Sequence, residues 1–139
     1  MQDNRVRVPR VFYGKFKYMK EFDETEELLI RNTYIRNKNF LRDQYYPIRI
    51  IIGTNEFFLF TTIALFKISK SNYALKWDIN YFSIKNAEIV DNKVKVNYNQ
   101  IIDSKEFDII KCENNSIAKS VSKCINEEII NNKEYLMDI

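Results

Sequence analysis

Between Cys112 and Ile117 the hydrophobic period of this chain changes from two residues to about 3.6, and that change constrains the fold more than any other feature. Upstream, from 48 to 112, β-branched and aromatic residues come in short runs separated by turn residues, the pattern of successive strands. The runs fall at 48–52, 56–61, 63–69, 73–79, 84–90, 93–98 and 106–112, which makes seven. Tyr73, Leu75, Trp77 and Ile79 alternate with Ala74, Lys76 and Asp78, so the first four are expected to share an inward face. Val94, Val96 and Tyr98 are expected to face in, and Lys93, Lys95 and Asn97 out. Asp91-Asn92 joins two runs as a two-residue hairpin turn, in which Asn tolerates positive φ. Downstream, Ile117, Val121, Ile125 and Ile129 recur at spacing four, with Ala118 and Cys124 beside them and Lys119, Lys123 and Glu127 opposite. That is an amphipathic helix, capped by Asn114-Asn115-Ser116 and ended by Asn131-Asn132.

Seven antiparallel strands followed by one amphipathic helix is the order of the pleckstrin-homology (PH) superfold. The expected class is α+β, mainly β: a PH-like barrel of seven antiparallel strands in two sheets, capped by the C-terminal helix. An immunoglobulin-like sandwich would also use seven strands, but the terminal helix and the missing Cys…Trp…Cys spacing argue against it.

The N-terminal part reads differently. Residues 1–20 carry Arg5, Arg7, Arg10, Lys15, Lys17 and Lys20 against Asp3 alone, a net of +5 in a chain whose formal charge is +3. Pro9, Gly14 and the rings of Phe12, Tyr13, Phe16 and Tyr18 break any period, so 1–22 reads as an extended basic arm before a domain at 23–139. The arm's aromatics favour docking on its own domain. The sequence at 23–32 has Asp23, Glu24, Glu26 and Glu27 in its first turn, where acids complement a helix dipole, and reads as a short helix. Residues 33–47 read as irregular or as one poorly marked strand. A basic arm followed by an acidic helix start either binds an anionic surface or is neutralised internally. The total charge is too small to argue for nucleic acid.

Catalysis finds little support. The chain has no His, which removes the commonest general base and metal ligand. Cys112 and Cys124 have no metal-type spacing and read as small, reduced, buried residues, which points to the cytoplasm. No glycine-rich phosphate loop exists, since Gly14 and Gly53 stand alone. No cofactor or metal is expected, and the chain is read as a non-enzyme. The longest apolar runs are far shorter than the ~20 residues that span a bilayer.

A family resemblance comes from the order of several short motifs. Arg5-Val6-Arg7-Val8-Pro9-Arg10-Val11-Phe12, then Glu24 with Leu28-Leu29, then Tyr34-Ile35, resembles the start of the C-terminal PH-like domain of the vacuolar protein sorting-associated protein 13 family. Phe58-Leu59-Phe60-Thr61-Thr62-Ile63-Ala64-Leu65-Phe66 is similar to that family's strand, Leu-Thr, strand unit. Leu75-Lys76-Trp77-Asp78-Ile79 is similar to its Trp-Glu-Ile strand, and Ile109-Ile110-Lys111-Cys112-Glu113 with the following helix to its end. The resemblance implies a targeting module of a very long lipid-transfer protein acting at organelle contacts. It implies a peripheral membrane location and, as partners, an anionic membrane surface or phosphoinositide, an Arf-type small GTPase, and the remainder of a longer parent chain.

Candidate binding residues follow from charge. A phosphoinositide-binding PH module needs several basic donors converging on vicinal phosphates, supplied by the first strand and first hairpin. Arg49 is present, but Gly53-Thr54-Asn55-Glu56-Phe57 brings no base and one acid. Lys67, Lys70 and Lys105 are expected to line an open mouth near Arg49, and the six basic residues of the arm complete the candidate lipid-binding set. Lys85, Lys93 and Lys95 read as a solubilising outer face. Weak, charge-driven membrane binding is therefore expected. A protein-interaction module of the same fold, taking a GTPase or an extended peptide along the fifth strand's edge and the helix groove, is the alternative.

Overall fold

The computed structural model describes residues 22–38, 41, 47–102 and 104–132. The basic arm, with Arg5, Arg7, Arg10, Lys15, Lys17 and Lys20, lies outside the described residues, and so does the side chain of Trp77. Helix α1 (Glu24–Arg36) precedes strands β1 (Pro47–Ile52), β2 (Glu56–Thr61), β3 (Ala64–Ser69), β4 (Leu75–Asn80), β5 (Ile84–Val90), β6 (Lys93–Ile102) and β7 (Lys105–Lys111). Helix α2 (Asn115–Lys123) follows and runs on through a π-helical turn, Cys124–Ile129, and a final 3-10 turn. All pairings are antiparallel, in a four-stranded sheet β1-β2-β3-β4 and a three-stranded sheet β5-β6-β7. This is the PH-like order, with two separately bonded sheets and no closure into a continuous barrel among the described residues.

Two cores result. The first lies between the sheets and under α2: Phe58, Phe60, Leu65, Val94, Val96, Ile110, Val121 and Ile125 are all but fully buried there. The second lies on the other face of the first sheet, under α1, where Leu29, Ile30 and Tyr34 cover Ile50, Phe57, Leu59, Phe66 and Ile68. Phe22, just before the helix, also packs in it. A strand covered on both faces needs no polar alternation, which is why β2 reads Phe57-Phe58-Leu59-Phe60.

Helix α1 is longer than 23–32. Asp23 and Glu26 form a reciprocal capping box at its start, with hydrogen bonds of 2.8 and 2.9 Å. Thr33 and Tyr34, expected in irregular chain, are helical and buried; the Thr33 hydroxyl donates to the Leu29 carbonyl at 2.7 Å. The even alternation expected at 73–79 also fails. Lys67 pairs with Trp77 and Ile68 with Leu75, so Lys76 is an extra residue in a β-bulge. Leu75 therefore packs in the second core and Ile79 in the first. Tyr73 precedes the strand at φ 59, and α1 holds it there: Asn37 Nδ2 donates to its carbonyl at 2.9 Å, and Asn32 Nδ2 to its hydroxyl at 3.2 Å. In the β5–β6 turn it is Asp91, not Asn92, that takes the positive φ, 57°.

Candidate functional site

The four described residues of the expected basic mouth occupy three separate places. Arg49, on β1, reaches the helix rather than solvent. Its guanidinium makes a two-pronged ion pair with Glu128, including Nε to Oε2 at 3.0 Å. The crevice around it between β1 and α2 also holds Glu26, Glu127 and Lys123, so acids outnumber bases there. An anion would meet net negative charge.

Lys67 and Lys70 lie together at the other end of the first sheet. Lys67 Nζ sits 3.3 Å from Glu56, donates to the Lys111 carbonyl at 3.0 Å, and stands 6.0 Å from the centre of the Phe58 ring. It thus ties the first sheet to the last residue of the second. Glu56 is buried and takes a second cation, Lys76, at 3.1 Å; the bulge aims that lysine at it. Lys70 donates to the Gly53 carbonyl at 3.2 Å. Lys105 starts β7, six residues before Lys111, which is about 20 Å along an extended strand. It pairs with Asp108 at 3.2 Å. The structure does not bring Lys105 to the others.

The turn between β1 and β2 is closed by a residue that sequence reading passed over. Glu113, between β7 and α2, accepts from the Thr54 N–H at 2.6 Å and the Asn55 N–H at 2.7 Å. Consecutive N–H groups pointing into one concavity form an anion nest, and here an internal carboxylate fills it. The hydrogen bond from Asn55, then that from Thr54, holds the Glu113 carboxyl below the usual carboxylate range, with Lys70 adding to the effect. Gly53 makes the fit possible. A Cβ there would stand 2.6 Å from Glu113 Oε2 and 2.9 Å from the Glu56 carbonyl oxygen. No local sequence signal joins 113 to 54; the contact exists only once strand and turn are packed.

The β5 edge, the expected groove for an extended peptide, is occupied at Ala87. The Ala87 N–H donates to Asn126 Oδ1 at 2.9 Å, and Asn126 Nδ2 donates to the Ala87 carbonyl at 2.9 Å. The side-chain amide reproduces the two bonds a neighbouring strand would make, and the Ser122 hydroxyl adds a third contact at 3.4 Å. A peptide adding to β5 would have to displace them.

Chemistry is sparse elsewhere. Both thiols are free: burial pushes Cys112 up to about 11 and Cys124 well above the ordinary thiol value, so neither is a thiolate near neutrality. Among the described residues no cluster of three or more His, Cys, Asp or Glu could hold a metal ion, and no helix is long and apolar enough to cross a membrane. Lys93 and Lys95 point outward as expected, and Lys111, which the sequence reading did not single out, stands directly across from Lys93.

The family model described as intermembrane lipid transfer protein VPS13, C-terminal, matches residues 6–115. None of the curated proteins compared with the chain matches it.

Proposed function

Because the chain belongs to the VPS13 C-terminal family of intermembrane lipid transfer proteins, we propose that it is a non-catalytic membrane-targeting module, held to anionic membrane by distributed charge rather than by a headgroup pocket. One observation carries the second half of this reading: the backbone donors of the β1–β2 turn, the natural cradle for a phosphate, are filled by Glu113. Arg49, Lys67, Lys70 and Lys105 each have an internal acceptor and do not converge. Their charge adds to the field of the domain, but they offer no shared site. The cations left for a membrane include those of the arm, Arg5, Arg7, Arg10, Lys15, Lys17 and Lys20. Attraction to an anionic leaflet is worth about 1 kcal/mol per basic residue near the surface. It fades beyond a Debye length of about 8 Å at physiological salt.

Sedimentation with vesicles tests this. Binding is expected to track total negative charge, to drop steeply with salt, and to weaken when Arg5, Arg7 and Arg10 become Ala. Saturable binding of one soluble inositol phosphate that survives raised salt would overturn it. Failure to bind any vesicle at low salt would turn the reading toward a protein partner such as an Arf-type GTPase or the rest of a long parent chain.

A further inference from the structure

The outer face of the second sheet combines two features that a face meeting only water avoids. The first is uncompensated charge. Val94, Val96 and Ile110 point into the core, so their neighbours Lys93, Lys95, Ile109 and Lys111 point out. Lys93 pairs in register with Lys111, two like charges directly opposite each other, and Lys95 lies two residues along on the same face. Such a cross-strand pair is destabilising in a sheet. No acid forms an ion pair with any of the three among the described residues. Glu88, opposite Lys95, instead accepts from Asn97 Nδ2 at 3.0 Å.

The second feature is apolar exposure among these cations. Phe107 is 42% exposed, Ile109 40%, and Val90, next to Lys93, 49%; Ile101, 69% exposed, lies at the far end of β6 beside the Ile102–Lys105 pair. Ile101, Phe107 and Ile109 line one shallow groove along β7, together with Lys105, Glu106 and Asp108. Lys95 Nζ stands over the Phe107 ring, 4.5 Å from its centre, so the ammonium stacks on the aromatic face. Lysines bordering exposed aliphatic and aromatic side chains match a membrane interface, where the ring and aliphatic groups enter the headgroup boundary and the ammonium groups meet lipid phosphates.

We infer that this face, formed by Lys93, Lys95 and Lys111 around Ile109 and Phe107, is the surface by which the folded domain lies on an anionic bilayer. The inference rests on the membrane reading above and adds to it an orientation: the second sheet lies flat on the lipid, with α1 and the first sheet directed away. Charge complementarity selects the partner. A neutral bilayer would leave the Lys93–Lys111 repulsion in place, whereas lipid phosphates relieve it.

The test uses the whole 139-residue chain and vesicles of phosphatidylcholine with and without phosphatidylserine. One variant carries Lys93→Gln, Lys95→Gln and Lys111→Gln; a second carries Lys38→Gln, Lys119→Gln and Lys123→Gln, at exposed positions elsewhere. Each brings the formal net charge from +3 to zero, so a difference between them reports on place rather than on total charge. Affinity for phosphatidylserine vesicles is expected to fall on the order of 100-fold in the first variant and to stay near wild type in the second. Phe107→Ser with Ile101→Ser, both exposed side chains, is expected to weaken binding with an unchanged melting curve. Equal loss in the two lysine variants, or no loss in the first, would overturn the face while leaving membrane binding intact. A wild-type chain that binds no phosphatidylserine vesicle at low salt would overturn both this inference and the reading it rests on.

Discussion

Glu113 and Gly53 depend on each other. The carboxylate satisfies two backbone donors at 2.6 and 2.7 Å, and only a residue without a Cβ lets it approach so closely. Because the folded carboxyl titrates below its ordinary value, its contribution to stability is complete above about pH 4.5 and is lost as pH falls through the lower folded value. Glu113→Gln keeps the shape and removes the charge. It is expected to lower stability at neutral pH by about 1 kcal/mol or less, since the site lies near solvent. The gap from wild type should close below that titration, and melting curves across pH 3 to 7 check it. A constant gap throughout would mean that the charge plays no part. Neither residue was legible as a pair in the sequence, because 60 residues separate them and no short-range pattern encodes a contact made by packing.

The C-terminal helix shows how far an element can be read from spacing. Strict recurrence every four residues drifts by about 40° per step in a regular α-helix, so Ile117, Val121, Ile125 and Ile129 cannot all hold one stripe. The π-helical turn at Cys124–Ile129 widens the last part, and Ile125 and Ile129 stay fully buried. The same stretch carries Asn126 to Ala87 and Glu128 to Arg49. Val121 sits at the centre of the stripe with no exposure, in the core that holds Val96. Val121→Asp would bury an unpaired charge and is expected to cost about 3 kcal/mol or more. A variant melting within a degree or two of the parent would contradict the helix placement. Strand bulges were not legible: Lys76 is extra because Ile79 and Leu75 belong to different cores, and a strand's own alternation carries no record of its partner's register.

For the molecule as a whole, the first sheet is the shared wall between two cores. The N-terminal helix is therefore part of the domain's stability, and the family match, beginning at residue 6, takes in most of the arm before it. Deleting residues 1–18 is expected to lower the melting temperature, each 1 kcal/mol of lost docking through Phe12 and Tyr13 reading as about 3–6 °C. An unchanged melting curve, with the arm cut by trypsin in the intact protein, would show instead that the arm is free.

The chain's own pattern determined the number and order of strands, the terminal helix and its apolar stripe, and the outward lysines of β6, because each is a local periodicity of side chains along one element. Tertiary structure alone decided the second core, the filling of the β1–β2 turn by Glu113, the capture of Arg49 by Glu128, and the meeting of Lys93 with Lys111. The candidate cations were visible as charges, but whether charges converge depends on which end of which sheet they occupy. Distance in space between residues far apart in the chain is set by strand order and register, and no single segment contains that information.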